Sequence, residues 1–443
     1  MSNAENLRPD AKPPGSWNPT PELLEEGTYD RLKWRMLLAA MFCYFFFYTG
    51  RQTFGFAIPG IQADLGLSKA TLGGISGILL WSYAAGQMIN GNLADKFGGR
   101  RMMTAGAILS TLLNWCTSFS TGPRAFAFLW GANGFAQSLG WPSGGRVISN
   151  WWGPSERGKS FGFYTFAAGM ASVLAYVTST IVVDTLDLNW KWIFRAPVLL
   201  MLVGGITFYL VARDSPEQAG VTLPASATAE ETDEAQGTAA AGAGETSFQR
   251  YKAVLRNPKI WSAGIAIGFQ NAARYGLLIW VPVYFLGDNW KKGGGGISPL
   301  WISVALPVGM AMGALVNGQI SDRIFGARRD RPIILFMVMG ALMSLTMYAA
   351  PLSVTTGIVV LFLTGFFVYG PQSSFWALCP DIAGRRMAGT ATGAVNCFAY
   401  LFAGAAEPLI GSLMDQTGNT SLIFLIVAGA CGCSALVALT IRR

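Results

Sequence analysis

Stretches of about 20 mostly apolar residues, the length of helix that crosses a hydrocarbon core about 30 Å thick, recur twelve times along this chain. They fall near 36–60, 70–92, 102–121, 124–148, 160–184, 193–212, 260–286, 299–320, 331–351, 354–378, 388–413 and 420–440, and are spans 1 to 12 below. A mean hydropathy of +0.39, with 52% hydrophobic and only 13% charged residues, is too apolar for an ordinary soluble protein. The expected class is an all-α membrane protein with twelve transmembrane helices.

Lysine and arginine set the expected orientation. Arg31, Lys33 and Arg35 precede span 1; Lys96, Arg100 and Arg101 lie between spans 2 and 3; Arg146, Arg157 and Lys159 flank the 4–5 connection. Arg323, Arg328, Arg329 and Arg331, then Arg385 and Arg386, then Arg442 and Arg443 repeat the pattern later in the chain. Few cations fall on the other face, so both termini are expected in the cytoplasm. The net charge of +8 follows from this asymmetry and suits anionic lipid headgroups, with no nucleic-acid partner required. The first 33 residues are polar and proline-rich, unlike a removable signal peptide. Cys43, Cys116, Cys379, Cys397, Cys431 and Cys433 are scattered without metal-ligand spacing and read as small apolar fillers, so no metal or cofactor is expected.

Residues 225–243 are almost entirely Ala, Thr, Gly and Glu, too polar and small to bury a core. The expected organisation is a cytoplasmic tail at 1–33, a six-helix half at 34–213, a disordered cytoplasmic linker at 214–248 and a second six-helix half at 249–443. Internal repetition supports the division. The run from Asn90 to Arg101 after span 2 matches the run from Asn317 to Arg329 after span 8. In each loop glycine permits close helix approach, an aspartate (Asp95, Asp322) can hold a neighbouring helix end, and an arginine (Arg101, Arg329) can anchor at the inner face. These four are candidate gating residues.

Arg51, Arg274 and Glu407 are the ionisable groups placed well inside the spans. A guanidinium at the centre of a membrane helix costs at least about 2.5–3.5 kcal/mol and stays charged, so an anion is its expected partner. The two arginines are repeat-related, each with a proline eight residues later, Pro59 and Pro282. Tyr44 and Tyr48 share a helical face with Arg51. Tyr83 and Gln87 in span 2, Trp141 in span 4, Tyr164 in span 5, Asn271 in span 7, Tyr369 and Gln372 in span 10, and Tyr400 in span 11 complete the candidate binding set. Two planar forks converging from opposite halves suit a phosphate or phosphonate dianion, and a dicarboxylate could use the same geometry.

The G-x-L-x-D-x-x-G-x-R-R pattern from Gly91 to Arg101 resembles the loop between spans 2 and 3 of the major facilitator superfamily. Tyr44-x-x-x-Tyr48-x-x-Arg51, Gly140-Trp141-Pro142, Arg274-Tyr275-Gly276-Leu277 and Tyr369-Gly370-Pro371-Gln372 are similar to motifs of its organophosphate:phosphate antiporter family. The resemblance runs through both halves and implies the major facilitator fold, two pseudo-symmetric six-helix halves in a bacterial inner membrane. It implies alternating access, with an organic phosphate such as a sugar phosphate or glycerol phosphate exchanged for inorganic phosphate by a functional monomer. It further implies that Arg51 and Arg274 bind the phosphate. The family pattern has a lysine where this chain has Gln87, and its glycerol-phosphate branch a histidine where this chain has Ala168. The site therefore has two cationic ligands, which fits a less charged anion, a bulkier one, or weaker affinity.

Two other readings stand beside exchange. One is a proton-coupled symporter of a carboxylated or other organic anion, with coupling falling on Glu407 because the chain has no histidine. The other is a non-transporting sugar-phosphate sensor. No nucleophile with a base and no phosphate-cradling loop points to an enzyme.

Overall fold

A computed structural model of the chain describes residues 26–152, 157–221, 247–286, 299–326, 328–349, 354–383 and 388–441. Apart from short breaks, each of the twelve windows is helical over its described length. Span 1 is Glu26–Phe47 and Phe54–Leu65 joined through a 3-10 turn at Tyr48–Gly50. Spans 2 to 6 are Lys69–Phe97, Gly99–Thr117, the pair Pro123–Gln137 and Gly140–Trp151, Arg157–Thr180, and Val198–Val211. A short helix, Ser247–Leu255, precedes span 7 at Pro258–Leu286. Spans 8 to 12 are Pro299–Ser303 with Ala305–Arg323, Asp330–Ala349, Val354–Tyr369 with Gln372–Ala383, Ala388–Thr417, and Leu422–Ala438. Among the described residues, seven helical stretches are long and apolar enough to cross a membrane by composition alone, those of spans 5, 6 and 8 to 12. Spans 1, 2, 3, 4 and 7 fall outside that set, and they carry the polar interior residues Arg51, Gln87, Asn114, Asn133 and Arg274.

The breaks follow local chemistry. Span 4 restarts at Gly140 just before Pro142, and span 10 breaks at Gly370-Pro371, where a missing N–H and a fixed φ disfavour continuing a helix. These two spans occupy equivalent places in the two halves. The arginine spans are less alike: span 1 breaks at Arg51, whereas span 7 runs unbroken through both Arg274 and Pro282.

Described structure reaches into both the stretch expected as tail and the stretch expected as linker. Span 1 starts at Glu26, inside the 1–33 stretch, because Tyr29 donates to the Trp151 carbonyl at 2.7 Å and Lys33 lies over the Trp152 ring at 4.9 Å. At the linker, Asp214 accepts from the Arg100 amide at 2.7 Å and so belongs to the N-terminal half. The rest of the tail, residues 1–25, and linker residues 222–246 lie outside the described residues.

An even number of spans puts the start of span 1 and the end of span 12 on one face, here the terminal face. The halves meet along spans 2 and 11, the outer piece of span 1 and span 7, and spans 5 and 8. On the opposite, far face, Phe54, Leu72, Trp130, Tyr176 and Phe194 of the N-terminal half merge into the core of the C-terminal half. On the terminal face, Met36, Phe47, Met103, Trp151 and Phe208 form a separate cluster. The structure is therefore closed on the far face. Glycine makes that closure tight: a Cβ on Gly73 would collide with the Glu407 carbonyl oxygen, and one on Gly77 with that of Gly404. The outer piece of span 1 is pressed equally close, with Gly55 against the Ile279 carbonyl of span 7.

Candidate substrate-binding site

Arg51 sits where span 1 stops being a helix. The turn Tyr48–Gly50 ends on Arg51, whose N–H bonds the Tyr48 carbonyl at 3.1 Å. The break leaves the Gly50 carbonyl without a helical partner, and a buried carbonyl needs one. Two amides supply it: Asn133 Nδ2 at 2.8 Å and Asn114 Nδ2 at 3.1 Å. Ser110 and Gln137 extend this buried network, with Ser110 Oγ donating to Asn133 Oδ1 at 2.6 Å and Gln137 Nε2 donating to Ser110 Oγ at 2.7 Å. The sequence reading missed all four residues. Their signal is polar pairs at i,i+4, 110/114 and 133/137, each on one helical face of an apolar span.

The Arg51 guanidinium lies 4.2 Å from the Tyr48 ring centre and 4.7 Å from that of Tyr83, and donates to Tyr44 Oη at 3.4 Å. Arg274 lies 4.3 Å from the Tyr369 ring and 5.0 Å from that of Tyr275. Cation–π contact of this kind stabilises a charge by roughly 0.5–2 kcal/mol, far short of replacing water around a guanidinium. Both arginines are about 95% buried, and Nε of each lacks a hydrogen-bond partner among the described residues. Neither has a carboxylate partner among them.

The remaining candidates sort by distance from this pair. Tyr44 stacks into a cluster with Trp141 and Tyr164, whose ring centres are 5.3 and 5.1 Å away. Tyr400 packs on Tyr83 at 4.8 Å and on Tyr275 at 5.8 Å, closing a wall of aromatic rings between the halves. Gln87 donates to Tyr83 Oη at 2.7 Å and accepts from Asn396 of span 11 at 3.1 Å, a hydrogen bond across the halves. Asn271 turns away to the Ile267 carbonyl and Gln270, and Gln270 in turn holds the Val368 carbonyl next to Tyr369 at 2.8 Å. Gln372 is buried, with its side-chain oxygen unpartnered among the described residues. Gln52, beside Arg51, is 1% exposed with both polar atoms unpartnered in the same sense, and the sequence reading passed over it.

Glu407 lies apart from the arginines. Its Oε2 accepts from Trp280 Nε1 at 2.8 Å, its Oε1 lacks a partner among the described residues, and the side chain is fully buried. Trp280 follows Arg274 by six positions on span 7, so this carboxylate stands about 9 Å further toward the far face. In the repeated loops, the side chains of Asp95 and Asp322 lie outside the described residues. Arg101 is exposed, and its neighbour Arg100 is the residue tied down, through Nε to the Tyr209 carbonyl at 2.7 Å. Arg329 donates to Ser321 Oγ at 2.8 Å and stands 3.7 Å from Asp381 at the end of span 10.

Two helical halves packed face to face agree with what the sequence comparisons find: the pattern of the Major Facilitator Superfamily matches residues 40–407. The chain belongs to the Major Facilitator Superfamily. It is a multi-pass membrane transporter of that superfamily and not an enzyme. Among its curated relatives are the probable hexose phosphate transport protein of Chlamydia muridarum (strain MoPn / Nigg), 27% identical and covering 94% of this chain and 92% of the relative. The glycerol-3-phosphate transporter of Bacillus subtilis (strain 168) is 27% identical, with 90% of each chain covered. The membrane sensor protein UhpC of Escherichia coli (strain K12) is 28% identical, with 92% of each covered. Among solved structures, an inward-facing, unoccupied bacterial homologue of the human lysosomal transporter Spinster shares the fold, with a TM-score of 0.71 at 15% identity over 93% of this chain and 98% of the other.

Proposed function

We propose that this superfamily member takes up an organic phosphate ester in exchange for inorganic phosphate, with Arg51 and Arg274 clamping the phosphate. The observation that carries this is the pair itself: two buried guanidinium groups, one from each half, each lying over tyrosine rings and lacking any carboxylate partner among the described residues. A phosphate dianion supplies the missing charge and accepts from both planar forks. An empty pair leaves two like charges in a low-dielectric cleft, which opposes reorientation, whereas a bound anion draws the halves together. Exchange follows from that difference. The curated relatives named for hexose phosphate and glycerol-3-phosphate support the same cargo class.

The membrane is the bacterial inner membrane, the terminal face is cytoplasmic, and the closed far face is the outer one. The transporter works as a monomer, and Asp95, Arg101, Asp322 and Arg329 belong to the inner gate. The deciding experiment is counterflow in liposomes: external phosphate ester should exchange for internal phosphate, and absence of phosphate-stimulated uptake rejects the reading.

Glu407 favours a second reading, proton-coupled uptake of an organic anion, because a buried carboxylate with one unpartnered oxygen lies where span 11 meets span 2. Transport by Glu407→Gln that no longer responds to an imposed pH gradient would select it over exchange.

A further inference from the structure

The arginine pair accounts for one end of an ester; the space beside it accounts for the other. On the terminal-face side of the Tyr83–Tyr400 contact, a cavity of about 90 Å³ opens between the halves, lined by Gln87, Gly393, Asn396, Cys397, Tyr400, Ala84 and Tyr251 of the short helix before span 7. That volume equals about three waters, or a short carbon chain with its hydroxyls. Gln87 follows Tyr83 by one helical turn, which puts the cavity about 6 Å from the ring that underlies Arg51. Tyr400 of the cavity lining packs on Tyr83, the ring under Arg51, so a phosphate ester of a few carbons reaches both places where these two rings part.

Its lining is chemically specific. Among the described residues it contains no cation and no carboxylate. It offers two amides, two phenols and a thiol. The amides are locked to each other, Asn396 Nδ2 to Gln87 Oε1 at 3.1 Å, and Gln87 Nε2 is fixed on Tyr83 at 2.7 Å. The Asn396 oxygen and the Tyr251 hydroxyl have no hydrogen-bond partner among the described residues and are left for a guest. Together they form an acceptor beside a group that both donates and accepts, which suits an alcohol. A second anionic group would lose its hydration with no cation to replace it, at a cost of several kcal/mol, while a hydroxyl exchanges water for equivalent hydrogen bonds. The Tyr83 and Tyr400 rings supply apolar faces for the carbon skeleton.

We propose that this cavity is the subsite for the non-phosphate part of the cargo, and that Asn396 with Gln87 selects an uncharged, hydroxylated group over one bearing a second negative charge. The proposal rests on the reading of Arg51 and Arg274 as phosphate ligands.

The test uses the purified full-length transporter and three probes: inorganic phosphate, glycerol 3-phosphate and 3-phosphoglycerate. The two esters differ by a hydroxymethyl group against a carboxylate, so their affinity ratio reads the subsite alone. In the wild type, calorimetry or thermal shift should give glycerol 3-phosphate at least about tenfold tighter binding, the consequence of an uncompensated buried charge. Asn396→Lys should reverse the ratio by supplying a cation, and Asn396→Ala should weaken glycerol 3-phosphate without strengthening 3-phosphoglycerate. Equal or reversed ester affinities in the wild type, alongside normal phosphate binding, overturn the subsite. The same holds for a ratio unmoved in Asn396→Lys. The wild-type comparison decides even where a variant does not fold. Failure of all three probes to bind overturns the arginine reading instead.

Discussion

The Asp415 carboxylate of the C-terminal half accepts from the backbone amides of Lys69 at 3.1 Å and Ala70 at 2.8 Å, the first two residues of span 2 in the other half. It caps a helix across the seam. The Lys69 ammonium adds an ion pair at 3.9 Å, a loose and partly solvated contact that contributes little. A carboxylate at a helix N-terminus stabilises by about 0.3–1 kcal/mol, and by up to about 2 when partly buried. Asp415→Asn should therefore shift the conformational equilibrium about two- to tenfold toward opening on the far face. Alkylation of a single cysteine placed on the far-face side of the arginines measures this, and an unchanged labelling rate would remove Asp415 from the closure. Lys69→Ala should shift it less.

Lysine at either arginine position keeps the charge and loses the fork. Arg51→Lys and Arg274→Lys should each lose one or two charge-assisted hydrogen bonds, about 1.5–3 kcal/mol, or about 10- to 150-fold in phosphate affinity. Calorimetric titration with phosphate checks it. Wild-type affinity in either variant removes that arginine from the site.

Steric closure on the far face gives a sharper test than charge. A Cβ at Gly77 would meet the Gly404 carbonyl, while one at the neighbouring Gly74 meets nothing within 4 Å. Gly77→Val should hinder closure by about 1–3 kcal/mol, the usual cost of overpacking, and abolish most exchange. Gly74→Ala should transport normally. Equal transport by the two variants would show that the far-face seam is not part of the cycle.

The Asn114–Asn133 support of Gly50 predicts a combined loss. Removing both amides strands a buried carbonyl at a cost of about 1–3 kcal/mol, so Asn114→Ala with Asn133→Ala should lower the melting temperature. It should also weaken phosphate binding, because Arg51 follows Gly50 directly. A melting temperature that falls while phosphate affinity holds would show that the network supports the fold without aiming Arg51.

The spans and the duplicated arginines were legible because each is a local property: apolar length, charge at depth, and repetition. Tyr48 and Tyr44 were found because helical spacing places them on the face of Arg51. What stayed hidden depends on which helix lies opposite. Asn114 and Asn133 lie on different spans, 3 and 4, and their common task, holding the Gly50 carbonyl, exists only because span 1 breaks there. Asn271 has the right spacing to Arg274 and nevertheless turns onto Gln270, because the unbroken span 7 offers it a carbonyl one turn back. Asn396 meets Gln87 only once spans 2 and 11 are side by side. Periodicity gives the face of a helix and is silent on its neighbour.

The break in span 1 has a mechanical meaning. Its inner piece, Glu26–Phe47, packs on spans 4, 5 and 6 of its own half, while its outer piece, Phe54–Leu65, lies directly on span 7 of the other half. Arg51 stands at the joint. The outer piece is also held by its own half, with Phe54 against Trp130 and Phe194 and Gly60 against Trp190, so the torsions that aim the Arg51 guanidinium sit between a piece packed on one half and a piece packed on both. Under the proposed function, load and lever share this joint, and an arriving anion would have almost no distance over which to be felt.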